Sequence, residues 1–293
     1  MRGLLLGAAA LTLGITPAWA QAPAKKPVVI ETEQALGIRY LYGSAEAASL
    51  SRQTYRALTA YALDKVNHRP TDAVVLAPNA TVEAPGFDGC GRKKDLAVIF
   101  DADETLIWNI GGTRWLGEHG MTFDAKVWSW WEATGAQKIL PVPGAVEAVN
   151  ALKNAGIAVI VISNRDAAST DVPTGADHWK ATAAALKAAG FGDFTQGENM
   201  FLRGTGPDRS NKDDRRRIVS EQYCVIAMAG DQLGDFSQLF NAEGLSPKDR
   251  QARAALPAFD ALWGNGWFLL PNPLYGPWDK AKLEDIFDDA QKW

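Results

Sequence analysis

Five short apolar runs constrain this chain more than any other feature. "LAVIF" (96–100), "IAVIVI" (157–162), "VIAMA" (225–229) and "WFLL" (267–270) are continuous and apolar, with β-branched residues prominent, and "MFL" (200–202) is a weaker fifth. Segments with helical spacing separate them, over about 144–155, 177–189 and 211–222, the first two closed by Gly156 and Gly190. A strand apolar on both faces must be covered on both, and strands that alternate with helices pair in parallel. The expected fold is α/β: a doubly wound, mainly parallel five-stranded sheet. An alanine-rich helix is expected ahead of it, from Ser44 to about Val66, with Ser44 as cap and Glu46 in the first turn. Residues 67–94 are rich in Pro, Gly, Asn and Asp and read as an irregular connection.

In such folds polar functional groups collect beyond the carboxyl ends of the strands. Asp101, Asp103 and Thr105 follow the first run, Ser163, Asn164 and Arg165 the second, and Asp231 and Asp235 the "VIAMA" run. All three groups fall at the same sheet edge. Between the first two runs, residues 110–141 carry Trp115, Trp128, Trp130 and Trp131. This stretch reads as a small helical cap lying over the strand ends, where an aromatic clamp belongs.

The first twenty residues, "MRGLLLGAAALTLGITPAWA", have one basic residue, a short apolar run and a small-x-small ending, so residues 1–20 read as a secretory signal cleaved before Gln21. Residues 21–27 read as a flexible leader, and 21–293 as one domain. No cysteine stands near the cleavage point to carry a lipid anchor, and no later segment is apolar enough to span a bilayer. The expected location is periplasmic or secreted. Without Arg2 the chain has 29 basic residues against 34 acidic ones, a balance that disfavours binding to nucleic acid polymers or anionic membranes. The cluster "DDRRR" (213–217) reads as one solvated helix face. In an oxidising compartment Cys90 and Cys224, the only two cysteines, are expected to form a disulfide.

Three carboxylates converging in one crevice cannot all stay ionised without a counter-charge. Hard oxygen ligands with few histidines nearby select Mg²⁺, which would also hold a phosphate. Two like charges about 4 Å apart repel by roughly 4 kcal/mol at an effective dielectric near 20, and a metal with a lysine reverses that sign. Asp101, at the strand tip, is placed to attack phosphorus as a nucleophile. Asp103 is placed to protonate the leaving oxygen and then to activate water. Thr105, Ser163 and Asn164 are candidate phosphate donors, and Lys212 the candidate phosphate cation. A calcium loop is set aside because its fifth and sixth positions are occupied by Thr105 and Leu106.

"VIFDADET", "VISNR", "SNKDDRR" and "GDQLGDF" resemble the four signature segments of haloacid dehalogenase-type phosphatases, and more narrowly those of bacterial class C acid phosphatases, the lipoprotein e group. The resemblance extends to "YLYGSAEAASLSRQTY" (40–55) and "LLPNPLYGPW" (269–278). It implies an exported, magnesium-dependent phosphomonoesterase acting on small phosphomonoesters, nucleoside 5′-phosphates among them. By position it implies Asp101 as nucleophile and Asp103 as acid/base. The implied magnesium ligands are Asp101, the carbonyl oxygen of Asp103, and Asp231. Ser163 and Lys212 match phosphate-contacting positions, Asp235 a supporting carboxylate, and Trp128 and Tyr275 the rings that sandwich a base. Trp108 stands where such proteins often have an acidic residue, and Gln232 where asparagine is common. Two other readings stay open: phosphotransfer to alcohol acceptors, and non-enzymatic haem binding. The three histidines, His68, His119 and His178, read as surface or structural residues.

Overall fold

The computed structural model describes residues 34–172, 175–205, 210–287, 290 and 293, so the signal and leader readings lie outside the described residues. Two helices open the chain, α1 (Ala35–Gly43) and α2 (Ala45–Asn67). Ser44 breaks them apart: its backbone is extended, and its Oγ accepts from the Ala47 amide at 3.0 Å, capping α2 as expected. The segment read as irregular holds an antiparallel hairpin, β1 (Asp72–Leu76) and β2 (Phe87–Gly89). β1 is a run of only five residues, "DAVVL", in a stretch otherwise rich in turn formers, which hid it.

β3 (Asp95–Phe100) then enters the centre of the molecule, followed by β4 (Ile107–Trp108), α3 (Ile110–Glu118), α4 (Ala125–Thr134) and β5 (Leu140–Pro141). β4 and β5 pair antiparallel, Ile107 with Pro141 and Trp108 with Leu140. The tryptophan-rich segment is thus a helical pair hung on a two-residue ribbon. Next come α5 (Ala145–Asn154), β6 (Ala158–Asp166), α6 (His178–Ala188), β7 (Met200–Arg203), α7 (Lys212–Gln222) and β8 (Tyr223–Gly230). The chain closes with α8 (Pro247–Ala254), α9 (Pro257–Asp260), β9 (Trp267–Leu269) and α10 (Leu283–Ile286).

The main sheet has the order β7-β6-β3-β8-β9, and every pairing in it is parallel. The five apolar runs are its five strands. Because parallel crossovers are right-handed, the outward steps put α5 and α6 on one face and the return step puts α7 on the other. Ala97 to Phe100 of β3 and Cys224 to Ala229 of β8 are all buried, as strands covered on both faces must be. An aromatic cluster of Phe236, Phe240, Phe259, Trp263 and Trp267 fills the β9 end of the core. Trp267 donates from its indole nitrogen to the Val74 carbonyl at 2.9 Å, fastening the hairpin to the sheet. Cys90 and Cys224 form the expected disulfide, which ties the end of the hairpin to the start of β8. Among the described residues no helix is long and apolar enough to cross a membrane.

Two further readings change. β6 continues to Asp166, so Ser163, Asn164 and Arg165 lie within the strand rather than beyond it; pairing of Asp166 with Arg203 of β7, and the ion pair between them, carry the strand through its polar end. The "DDRRR" cluster is not a solvated face, since Arg215 and Arg216 are fully buried. Backbone carbonyls near the strand ends need donors, and these two guanidiniums supply them: Arg216 reaches Asp235 O at 2.6 Å, and Arg215 reaches Ser163 O at 2.5 Å.

Candidate active site

Parallel pairing of β3, β6 and β8 brings Asp101, Ser163 and Asp231 to one edge. Asp101 stands just past β3, where its amide donates to the Ala229 carbonyl of β8 at 2.9 Å. Asp101, Asp231 and Asp235 each offer a carboxylate oxygen, and these oxygens lie within 4.8 Å of one another, all three residues buried. Gly230 permits the approach: a Cβ there would sit 2.3 Å from Cβ of Asp235. Lys212, the first residue of α7, donates from Nζ to Asp101 at 2.5 Å and to Asp235 at 2.6 Å.

One ammonium faces three carboxylates. Burial pushes Asp101 well above the usual carboxylate range; Lys212 opposes this, and Asp235 adds to it. Burial, with Asp235 beside it, raises Asp231 to about 7. Burial alone would lower Lys212, but Asp101 and Asp235 together hold it above an ordinary lysine. Such a site is short of positive charge, and its donors are all hard oxygens. A divalent cation of the hard class fits it.

Asp103 is turned elsewhere. Its carboxylate takes a forked pair of hydrogen bonds from Arg165, Nε at 2.9 Å and Nη2 at 2.8 Å, and another from Asn109 Nδ2 at 2.7 Å. Burial raises its pKa, but Arg165 and Asn109 outweigh that and hold it below the ordinary range. Asp235, expected as a supporting carboxylate, stands beside Asp101 and Asp231, while the Asp103 carboxylate is turned to Arg165 and Asn109, so that of Asp103 only the carbonyl oxygen, the atom expected as a ligand, is left for a cation.

The candidate phosphate donors separate in the same way. Ser163 is fully buried and directs Oγ toward Asp103 at 3.5 Å. Alternation along β6 puts Ser163 and Arg165 on one face and Asn164 on the other. Asn164 is exposed, and its side-chain oxygen accepts from Arg215 at 2.5 Å, so the structure does not bring it to the Asp103 group. Thr105 is spent on the carboxylates, donating from Oγ1 to Asp231 at 3.1 Å while its carbonyl accepts from Tyr55 at 2.5 Å.

The aromatic sandwich is not assembled. Trp128 packs against Phe123, ring centres 6.2 Å apart, and lines an apolar cleft of about 630 Å³ between α3 and α4. Tyr275 instead donates from its hydroxyl to Glu104 at 2.7 Å. Among the described residues no ring contact joins the two. Trp131 is the pillar of the cap: its indole donates to Asn109 at 2.8 Å, and a Cβ on Gly112 or Gly135 would strike its ring at 2.7 and 2.4 Å. Trp108 is buried with its indole nitrogen unpartnered, edge-on to Tyr42.

Several functional residues escaped the sequence reading. Asn272 donates to Asp231 at 2.7 Å from the loop after β9. The signal for it was present, because that loop leaves the same sheet edge as the other clusters. Gln232, which also donates to Asp231, bonds the Tyr275 carbonyl at 2.9 Å and anchors that loop. Arg165 as partner of Asp103, and Glu104 as acceptor from both Tyr42 and Tyr275, had no local signal. The histidines do not converge. His68 and His119 are exposed, and His178 is buried against Glu132.

Two solved structures share this fold. The chain is similar to a class C acid phosphatase from Bacillus anthracis with tungstate bound, at 22% identity and a TM-score of 0.64, covering 88% of this chain and 92% of that one. It is similar also to a second structure of the class C acid phosphatase from Bacillus anthracis, at 22% identity and a TM-score of 0.62, covering 84% and 86%. Residues 44–278 match the family described as HAD superfamily, subfamily IIIB (acid phosphatase), a span from the α2 cap to the loop beyond Tyr275 that includes every aspartate of the site. The chain belongs to the subfamily IIIB acid phosphatases of the haloacid dehalogenase superfamily, and its chemistry is phosphomonoester hydrolysis.

Proposed function

We propose that this phosphatase is an exported, magnesium-dependent enzyme that hydrolyses small phosphomonoesters, nucleoside 5′-phosphates among them, through an aspartyl-phosphate on Asp101. The observation that carries this reading is the buried trio of Asp101, Asp231 and Asp235 at one strand edge, with a single lysine against them. Asp101, Asp231 and Asp235, with the Asp103 carbonyl, would hold the magnesium, which when bound supplies charge neutralisation for the transferring phosphoryl group.

The chain's own residues perform the rest. A carboxylate oxygen of Asp101 attacks phosphorus, and the bond from phosphorus to the ester oxygen breaks. Asp103 delivers a proton to the departing oxygen, then takes one from the water that attacks the acyl phosphate, releasing phosphate and restoring the Asp101 carboxylate. Arg165 and Asn109 hold the Asp103 carboxyl below the ordinary range, which favours its part as base in the second step. Lys212 holds Asp101 in place and offsets the charge of an entering phosphate. Nucleotide preference is supported by the tryptophan-lined cleft of the cap, and export by the signal-like sequence at 1–20.

A screen of phosphomonoesters tests the reading by measuring released phosphate with magnesium, with EDTA, and with EDTA followed by magnesium. The expected result is activity lost on chelation and restored by magnesium, highest for nucleoside 5′-phosphates. Indifference to EDTA refutes the metal assignment. Addition of alcohols to the same assay separates hydrolysis from transfer: phosphorylated alcohol in place of free phosphate would show a phosphotransferase.

A further inference from the structure

Glu104 sits between the two aspartates of the reacting loop and Thr105, and its backbone has a φ of +50°, the only positive value at a non-glycine among the described residues. A left-handed conformation costs a non-glycine residue roughly 1 kcal/mol or more and persists only where the surroundings hold it. Here four groups do so. The Glu104 side chain is 1% exposed; Oε1 accepts from Tyr42 at 2.9 Å and from the Asn109 amide at 3.0 Å, while Oε2 accepts from Tyr275 at 2.7 Å and from Asn109 Nδ2 at 3.2 Å. The Glu104 amide closes the loop by donating to Ile107 O at 2.8 Å. One carboxylate thus joins α1, the loop after β9 and the root of the cap at a point one residue from Asp103. No salt bridge to a cation is formed at Glu104 among the described residues, so the hydrogen bonds to its carboxylate carry its burial.

We propose that Glu104 is a positioning residue of the phosphatase: it locks the loop from Asp101 to Thr105 in its reactive shape and fixes Tyr275 relative to Asp103. The inference rests on the reading of Asp101 as nucleophile. Glu104 touches none of the reacting atoms and acts through its neighbours. A misplacement of about 1 Å at a reacting group costs on the order of 10²-fold in rate, so loosening this lock shows in turnover before it shows in substrate binding.

The test compares wild type with Glu104→Gln, Glu104→Ala, Tyr42→Phe, Tyr275→Phe and the double tyrosine variant, on an aryl phosphate with magnesium and with circular dichroism on each. The expected result is kcat lowered on the order of 100-fold in Glu104→Ala with KM nearly unchanged, and partial rescue by Glu104→Gln, which keeps the volume and one acceptor oxygen. The two tyrosine variants lose less, and combining them costs no more than Glu104→Ala, because both act through the same carboxylate. Folded Glu104 variants with wild-type kcat, or a loss confined to KM, overturn the proposal. If Glu104→Ala does not fold, Glu104→Gln and the tyrosine variants decide in the same way. Asp101→Asn assayed alongside separates the two readings. Retained activity there removes the nucleophile assignment and this inference with it, whereas an inactive Asp101→Asn beside fully active Glu104 variants removes the inference alone.

Discussion

Asp101 and Asp103 lie two positions apart in sequence but in opposite electrostatic settings. Asp101 faces carboxylates and one lysine, whereas Asp103 faces an arginine and an amide. Replacing Asp101 with Asn keeps the shape and removes the attacking oxygen anion, so turnover should fall below detection while the circular dichroism spectrum is kept; measurable steady-state hydrolysis would contradict its role. Arg165 makes a different prediction. It holds Asp103 low, and its removal lets burial raise that carboxyl. In Arg165→Gln the alkaline limb of the pH–rate profile for an alkyl phosphate, whose departing oxygen needs the proton of Asp103, should move to higher pH. An unmoved limb would show that Asp103 is not the acid. At this scale Asp101, Asp231 and Lys212 were legible because each follows or precedes an apolar run at a fixed place. Glu104 and Asn272 were not, because their partners are far along the chain: Tyr275 lies 171 residues from Glu104, and Asn272 lies 41 from Asp231. The arginines after Lys212 were misread because a charge run looks solvated until the carbonyls it must satisfy are known.

Among the elements, the five strands of the sheet were legible and their boundaries less so. Continuous apolar runs mark the buried centre of a strand, but "SNRD" in β6 is held by pairing to β7 and by the Asp166–Arg203 ion pair, which no local pattern reveals. The hairpin before β3 was missed for the same reason, since Trp267 anchors it from 193 residues away. Helix α2 was read correctly at its start because Ser44 is a local signal, while α1 behind it was not expected. Replacement of Ser44 with Ala leaves the first turn of α2 without its cap, and should lower unfolding free energy by about 1 kcal/mol in urea titration. No change in midpoint would mean that packing of α1 against α2, rather than the cap, sets the break.

The whole molecule couples proton, metal and fold. Asp231, raised to about 7, keeps a proton in the folded, metal-free protein that the unfolded chain gives up near pH 4. Its contribution to stability is therefore present below about pH 4 and is lost as pH rises through about 7. In EDTA, the melting temperature of wild type relative to Asp231→Asn should fall across that window. Magnesium should raise the wild-type value increasingly over the same range, because it replaces the departing proton. A magnesium increment independent of pH, measured by scanning calorimetry, would contradict this coupling. The Cys90–Cys224 bridge closes a span of 134 residues, and its loss should cost about 3–5 kcal/mol; melting of Cys90→Ser with Cys224→Ser against wild type measures it. The bridge lies where the strands begin, and the aspartates lie where they end. Durability and turnover are thus written on opposite rims of one sheet: a reducing milieu would shorten the protein's working life while leaving each surviving copy as fast as before.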